Sequence, residues 1–143
     1  MNIETQILSP VVVLICWSMI MWIWMYATRI PAMMAARLKP DPSAPSGEQM
    51  ATLPASVRWK ADNYNHLMEQ PTIFYALAIT LAIFGEGSGI NFYLACVYVG
   101  LRVIHSLVQA ITNKIELRFS IFVLSNVALF WLTINAVIFM IQS

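Results

Sequence analysis

The stretch GINFYLACVYVGLRVIHSLV, Gly89 to Val108, decides the fold of this chain. It is long enough to cross a bilayer as a helix, because a span needs about 20 mostly apolar residues. It nevertheless contains Arg102 and His105, and a charged side chain at that depth costs roughly 2.5–3.5 kcal/mol on insertion scales. The two residues are spaced i, i+3 and share one helix face, which Gln109 and Asn113 extend. We therefore predict a polar face directed into a helix bundle.

The composition is that of an integral membrane protein. Of the 143 residues, 59% are hydrophobic and 10% are charged, whereas soluble domains average about 25% charged residues. The net charge of +1 gives no basis for nucleic-acid binding. Cys16 and Cys96 lie in apolar segments, so we predict buried free thiols rather than a disulfide. Neither has metal-ligand neighbours, and no metal site is predicted.

Four membrane-spanning helices are predicted from the apolar runs. Arg29 and Pro31 are predicted to close the first helix, and the prolines between residues 37 and 54 indicate a loop. The second helix begins near Ala55, and only its part after Pro71 is fully apolar. We expect one all-α domain over residues 1–143, an integral membrane four-helix bundle. Its expected spans are about 7–28, 69–85, 90–111 and 119–141, with a cytoplasmic loop at about 29–58.

The basic residues predict the topology. Seven of the eight Lys and Arg residues lie in or beside the first and third loops: Arg29, Arg37, Lys39, Arg58, Lys60, Lys114 and Arg118. The positive-inside rule places these loops in the cytoplasm and both termini on the other side. The charge pattern suits a bacterial inner membrane or an endoplasmic reticulum. The lack of a retrieval tail favours the bacterial membrane, with periplasmic termini.

A second polar stripe lies on the second helix. Arg58, Asp62, Asn65 and Glu69 are spaced 4, 3 and 4 residues apart and share one face. We predict a polar pocket between this stripe and the polar face of the third helix. Its cations, carboxylates and hydrogen-bonding groups would be Arg58, Arg102, Arg118, Asp62, Glu69, Asn65, His66, His105 and Gln109. Such a mixture suits a small zwitterionic or multi-carboxylate ligand.

Two motifs in these helices resemble the MAPEG family, the membrane-associated proteins in eicosanoid and glutathione metabolism. The segment VRWKADNYNHLMEQPTIFYALA, residues 57–78, is similar to the family's Arg, Asn, acid and Pro-x-Phe sequence. The segment GLRVIHSLVQAITNKIELRF, residues 100–119, resembles the prostaglandin E synthase pattern of two arginines with a His between them. The resemblance covers nearly the whole chain. The chain resembles a bacterial-type member of the family that is similar to microsomal glutathione transferase and prostaglandin E synthase.

The resemblance implies a homotrimer that binds glutathione between protomers near the cytoplasmic side. It implies a transferase or peroxidase acting on apolar electrophiles or lipid hydroperoxides that arrive from the membrane. Arg29 would be the catalytic cation beside the thiol, with Arg102 as the alternate. The residues that would bind glutathione are Arg58, Asn65, Glu69, Arg102, His105, Gln109 and Arg118.

The chain also departs from the family pattern. Ala61 stands where many members have an Arg four residues before the Asn, and Gln109 stands where catalytic members have a Tyr. The register of the first motif stays open, with Asn65 or His66 as the Asn equivalent and Met68 or Glu69 at the acidic position. These departures favour a second hypothesis, a non-catalytic lipid-binding scaffold. A third is an accessory subunit of a larger membrane complex.

Each candidate residue also has a structural interpretation. Arg102 would form an ion pair with Glu69 that fastens the second and third helices. Arg29 would snorkel to the interface, and Arg118 would anchor the topology. His66 would lie on the helix surface, and His105 would lie inside the bundle with its hydrogen bonds satisfied. Asn126 and Asn135 in the fourth helix are interpreted as hydrogen-bonding contacts between helices.

Overall fold

The computed structural model describes residues 4–142, and within that range it contains helices and no strands. The predicted all-α class is therefore confirmed. In chain order the helices are α1 (Leu8–Ala35), α2 (Glu48–Ala51), α3 (Ala55–Glu69), α4 (Pro71–Phe84), α5 (Gly89–Ile111) and α6 (Ile115–Gln142).

Four helical segments are long and apolar enough to cross a membrane. They are α1, α3 and α4 taken together over Ala55–Phe84, α5, and α6. The second of these stays continuous because Gln70, between α3 and α4, keeps a helical backbone with φ −70° and ψ −37°. Pro71 opens α4, and its missing N–H interrupts the backbone hydrogen bonds at this point. The chain is thus an integral multi-pass membrane protein built as a four-helix bundle, as predicted.

The first helix runs farther than the sequence predicts. α1 passes through Arg29 and Pro31 and continues to Ala35, so the predicted end at these residues is wrong. A proline removes one backbone hydrogen bond, and the exposed position of Pro31 leaves its ring outside the packed core. That single loss does not end a helix of 28 residues. The helix ends before Arg37, which turns into the left-handed conformation with φ 51°.

The segment between α1 and α3 is an ordered loop that carries the short helix α2. Gly47 precedes α2 with φ 84°, a conformation that favours glycine. The side chain of Gln49 then ties α2 to the preceding turn. Its Nε2 donates to the carbonyl of Lys39 over 2.9 Å, and its Oε1 accepts from the N–H of Asp41 over 3.1 Å. These two hydrogen bonds hold α2 against the preceding turn of the loop.

The core lies where α5 packs against α1, α3 and α6. Leu14, Tyr98 and Leu132 are fully buried there, as is Phe74 of α4, whose ring stacks on that of Tyr98 with centroids 4.5 Å apart. The outward faces of the helices carry many large apolar side chains, as a lipid-facing surface requires.

Both cysteines lie on these outward faces. Cys16 and Cys96 are free thiols, as predicted, but they are exposed rather than buried. A thiol is a small, weakly polar group that hydrocarbon tolerates. An apolar sequence context therefore does not distinguish the lipid-facing side of a helix from its packed side.

Candidate functional site

The helix α3 carries two polar stripes, one facing outward and one facing the bundle. The outward stripe consists of Arg58, Asp62, Asn65 and Glu69, and all four side chains are exposed. The inward stripe consists of Asn63, His66 and Gln70, which are buried or half-buried. Only the outward stripe was predicted as a unit. The inward stripe has the same helical spacing, 3 and then 4, which is the signal that could have revealed it.

Two residues of the inward stripe hydrogen-bond to α5 and α6. Nδ2 of Asn63 donates to Oγ of Ser106 over 2.7 Å. Gln70 accepts a hydrogen bond from the Tyr98 hydroxyl over 3.2 Å and donates one to the Oδ1 of Asn126. The interpretation of Asn126 as a contact between helices is thereby confirmed. Gln70 connects three helices at the Pro71 interruption.

Arg102 reaches the third residue of this stripe, His66. Nη2 of Arg102 lies 2.8 Å from Nδ1 of His66 and donates to the His66 carbonyl over 3.3 Å. Its Cζ lies 5.7 Å from the centroid of the Phe122 ring, a cation–π contact. The side chain of Arg102 has no exposed surface, and its Nε and Nη1 have no hydrogen-bond partner in residues 4–142.

The predicted ion pair between Arg102 and Glu69 is therefore wrong. Within the described part of the chain no carboxylate binds the guanidinium, because Nη2 binds His66 and the other two nitrogens have no partner there. Glu69 belongs to the outward stripe and is exposed. The bundle thus encloses a cation whose hydrogen bonds go to an imidazole and a carbonyl.

A cavity of about 250 Å³ opens beside His66, and we call it the histidine cavity. Its lining residues are His66, His105, Gln109, Ile115, Arg118, Phe119 and Phe122. The rings of His66 and His105 stack with centroids 4.9 Å apart and planes 21° apart. Gln109 is buried, and its Oε1 has no partner among the described residues. The interpretation of His66 as a residue of the helix surface is corrected, since it is half-buried and lines this cavity.

Arg118 lies at the start of α6 and is held in place by the turn before it. Its Nη1 donates to Oδ1 of Asn113 over 2.7 Å, and Asn113 has the left-handed φ of 48° that ends α5. This arrangement uses only part of the hydrogen-bonding capacity of the guanidinium, which has five N–H groups. Arg118 therefore contributes a positioned cation to the histidine cavity.

A second cavity, of about 360 Å³, lies between the end of α1, the loop and the start of α3. We call it the loop cavity, and its lining residues are Arg29, Gly47, Met50, Ala51, Leu53, Val57, Arg58, Ala61, Asp62 and Asn65. Nε of Arg29 is buried there and has no hydrogen-bond partner among residues 4–142. The cavity therefore contains two arginines and one carboxylate.

The candidate residues divide between two places in one protomer, so the two stripes do not form the predicted pocket within a single chain. Arg29, Arg58 and Asn65 line the loop cavity, while His105, Gln109 and Arg118 line the histidine cavity. Arg102 and Glu69 line neither. The physical reason is the orientation of α3, which turns the stripe that contains Asn65 outward and the stripe that contains His66 inward.

Two further features lie away from these cavities. Nδ2 of Asn135 donates to Oδ1 of Asn91 over 2.7 Å, which confirms the interpretation of Asn135 as a contact between helices. An apolar groove of about 520 Å³ runs between α1 and α5. Its lining residues are Ser9, Pro10, Val13, Phe92, Cys96, Val99, Gly100, Val103 and Ile104.

The fold and the site define a class: an integral membrane four-helix bundle with a buried cation beside a cavity that is lined in part by histidine and arginine. The family model described as "MAPEG family" matches residues 7–138. The chain therefore belongs to the MAPEG family, and this membership supports a role in eicosanoid and glutathione metabolism. Searches of curated proteins and of solved structures found no match.

Proposed function

We propose that this protein is a glutathione-dependent transferase or peroxidase that acts on apolar electrophiles or lipid hydroperoxides. Its single transmembrane domain would bind glutathione between protomers of a homotrimer, near the cytoplasmic side. The basic loops would lie in the cytoplasm and the termini in the periplasm of a bacterial inner membrane. Family membership supports the link to glutathione, and the arrangement of charges supports the site.

The observation that carries this proposal is the uncompensated charge of Arg102. A fully buried guanidinium with two unpartnered nitrogens is unfavourable in an apolar bundle unless an anion compensates it. Arg118 adds a second cation at the adjoining histidine cavity. This side of the bundle therefore favours a ligand with carboxylates, and glutathione has two.

The donor groups of the two cavities fit the rest of such a ligand. Arginines bind carboxylates through parallel hydrogen bonds, and a carboxylate such as Asp62 accepts from an ammonium group. Glutathione supplies a thiol, which reacts as the thiolate. Arg29, with its unpartnered Nε in the loop cavity, is the cation that would stabilise a nearby thiolate and lower the pKa of the thiol.

The outward stripe of α3 supports a site between protomers. Glu69 is exposed, although it lies in the membrane-spanning segment Ala55–Phe84 directly before the apolar α4. A carboxylate facing lipid is unfavourable, so a neighbouring protomer that covers the stripe would stabilise the assembly. Such a neighbour would bring a histidine cavity next to Asn65 and Glu69 and reunite residues that one protomer keeps apart.

The experiment that tests this function is a turnover assay on the protein in liposomes. Glutathione would be supplied with an aryl halide in one series and with a lipid hydroperoxide in another. Products would be followed as the thioether and as the lipid alcohol. Arg118→Ala should lose most of the activity, because it removes a cation from the histidine cavity. Lys39→Ala is the matched control, since it removes one exposed loop cation that lines neither cavity.

Activity in the wild type and in Lys39→Ala, with a loss in Arg118→Ala, supports the proposal. Glutathione binding without turnover of either substrate would refute the enzyme. Equal activity in all three proteins would refute the site.

The second candidate function is a non-catalytic lipid-binding scaffold. The apolar groove between α1 and α5 favours it, because its lining is almost wholly apolar and it lies on membrane-spanning helices. The presence of Gln109 where catalytic relatives are expected to have a Tyr points the same way. Tight binding of a lipid without glutathione turnover would favour the scaffold. Co-purification of a stoichiometric partner would instead favour an accessory subunit.

A further inference from the structure

Arg102 lies behind the histidine cavity rather than in its wall. It has no exposed surface and is absent from the lining, whereas His66 lies between it and the cavity. The contact between them, Nη2 to Nδ1 at 2.8 Å, is as short as a charge-assisted hydrogen bond. Arg102 also contacts the Phe122 ring of the lining, but His66 is the lining residue to which it donates hydrogen bonds.

This contact determines which nitrogen of His66 carries the proton. A guanidinium has only donors, so Nδ1 of His66 must accept and cannot hold a hydrogen. A histidine that accepts at Nδ1 is neutral and carries its proton on Nε2. The tautomer thus follows from the chemistry of the partner and needs no observed hydrogen position.

The ring of His66 is also held in orientation. It stacks on His105 and meets the Phe122 ring edge-on, with centroids 5.4 Å apart. Nε2 of His66 has no hydrogen bond within residues 4–142. It is not one of the fully buried side-chain atoms that lack a partner, so it is accessible from the cavity. Its N–H is therefore free to donate to a ligand.

We propose that Arg102 is a positioning residue that acts through His66. Its hydrogen bond to Nδ1 holds His66 as the Nε2–H tautomer, and this N–H donates to an anionic oxygen of the ligand beside Arg118. The ligand class is a carboxylate, which under the proposed function belongs to glutathione. The inference rests on that function for the identity of the ligand, while the state of His66 is independent of it.

A purely structural pairing makes a different prediction. If His66 only stabilises the buried cation, a carboxylate at position 66 should stabilise the fold better, because it would neutralise Arg102. If His66 also donates to the ligand, a carboxylate should weaken ligand binding, because it only accepts hydrogen bonds. A glutamine should retain ligand binding, because its oxygen can accept from Arg102 while its amide nitrogen donates to the ligand.

The first test is imidazole ¹⁵N NMR of the full-length protein in detergent, with acetate as the probe. In the wild type we expect Nδ1 of His66 without hydrogen, Nε2 with hydrogen, and a change of the Nε2 signal on adding acetate. Arg102→Met should lose the single tautomer, while Lys39→Ala should keep it. An Nδ1–H tautomer in the wild type, or no response of Nε2 to acetate, would overturn the proposal.

The second test compares glutathione binding and stability in three variants at one position. His66→Gln should bind within a few-fold of the wild type, since it keeps both an acceptor and a donor. His66→Asp and His66→Leu should each bind about 10-fold or more weakly, the effect of losing a hydrogen bond to a charged group. His66→Asp should nevertheless unfold no more easily than the wild type, because it neutralises Arg102.

The results separate the two proposals. If the wild type does not bind glutathione but shows the Nε2–H tautomer and the acetate response, the proposed function fails and the inference stands. If glutathione binds equally well to the wild type and to His66→Asp, the function stands and the inference fails.

Discussion

Replacing Arg102 by methionine should leave the ligand-free protein at least as stable as the wild type. The reason is that Arg102 is fully buried and that two of its nitrogens have no hydrogen-bond partner in the described structure. Removing a charged side chain from the middle of a span recovers roughly 2.5–3.5 kcal/mol. Against this, Nδ1 of His66 loses its donor, and an orphaned buried acceptor costs about 1–3 kcal/mol. The net expectation is a gain of about 1 kcal/mol in the free energy of unfolding.

The double variant Arg102→Met, His66→Leu makes this expectation stricter. It removes the cation and the acceptor together, so no orphaned group is left. Its free energy of unfolding should rise by about 2–3 kcal/mol above that of the wild type, as replacement of buried polar pairs by apolar side chains often does. Both variants should lose glutathione binding, because they lack the buried positive charge of Arg102 that a carboxylate of the ligand would compensate.

The assay is equilibrium unfolding in mixed micelles, in which rising dodecyl sulfate is followed by loss of helical circular dichroism. Lys39→Ala serves as the control, and its stability should equal that of the wild type. A double variant less stable than the wild type by about 2 kcal/mol or more would refute the reasoning. That result would mean that the folded bundle itself compensates the charge of Arg102, with no need for a ligand.

Three further outcomes are expected from contacts outside the cavities. Asn135→Leu should lower the free energy of unfolding, because Asn91 loses its donor. The expected loss is about 0.6–1.7 kcal/mol, the range for hydrogen bonds between membrane helices. Unchanged stability in the micelle assay would contradict this expectation. Gly87→Ala should cost about 1–3 kcal/mol, since the added methyl would lie 2.2 Å from a backbone oxygen of the N-terminal segment; a melting temperature equal to that of the wild type would refute the close contact. The hydroxyl and N–H of Ser43 donate to the carboxylate of Asp41 over 2.6 and 2.8 Å and lower its pKa. The turn at Asp41 and Ser43 should therefore be fully formed at a pH above the ordinary pKa of an Asp. It should loosen as the pH falls through the lowered pKa of Asp41. Carboxyl ¹³C NMR should show the pKa of Asp41 rising in Ser43→Ala, and an unchanged titration would contradict the assignment.

The sequence was sufficient for the fold and for one face of the site. The penalty for a charge in an apolar segment is a local property, so Arg102 and His105 could be placed inside the bundle without knowledge of their neighbours. Both are buried on α5, together with Gln109. The four spans followed in the same way, from length and hydropathy.

The partners of these residues could not be predicted in the same way. On α3, the outward stripe that includes Asn65 and the inward stripe that includes His66 have the same helical spacing. Which stripe meets α5 depends on how the helix is rotated in the bundle, and periodicity does not contain that information. The ion pair predicted for Glu69 failed for this reason. The predicted end of α1 was wrong for a different reason: the free-energy cost of Pro31 in a helix depends on whether its ring contacts other helices.

The most direct test of a glutathione site beside the buried cation is calorimetric titration of glutathione into the detergent-purified wild type and Arg118→Ala. The prediction is saturable binding to the wild type and a loss of about 10-fold or more in affinity in the variant, because a charged hydrogen-bond donor is removed. Absence of binding to the wild type at millimolar glutathione would contradict the site. In that case the polar groups around Arg102 serve the structure of the bundle or bind lipid headgroups.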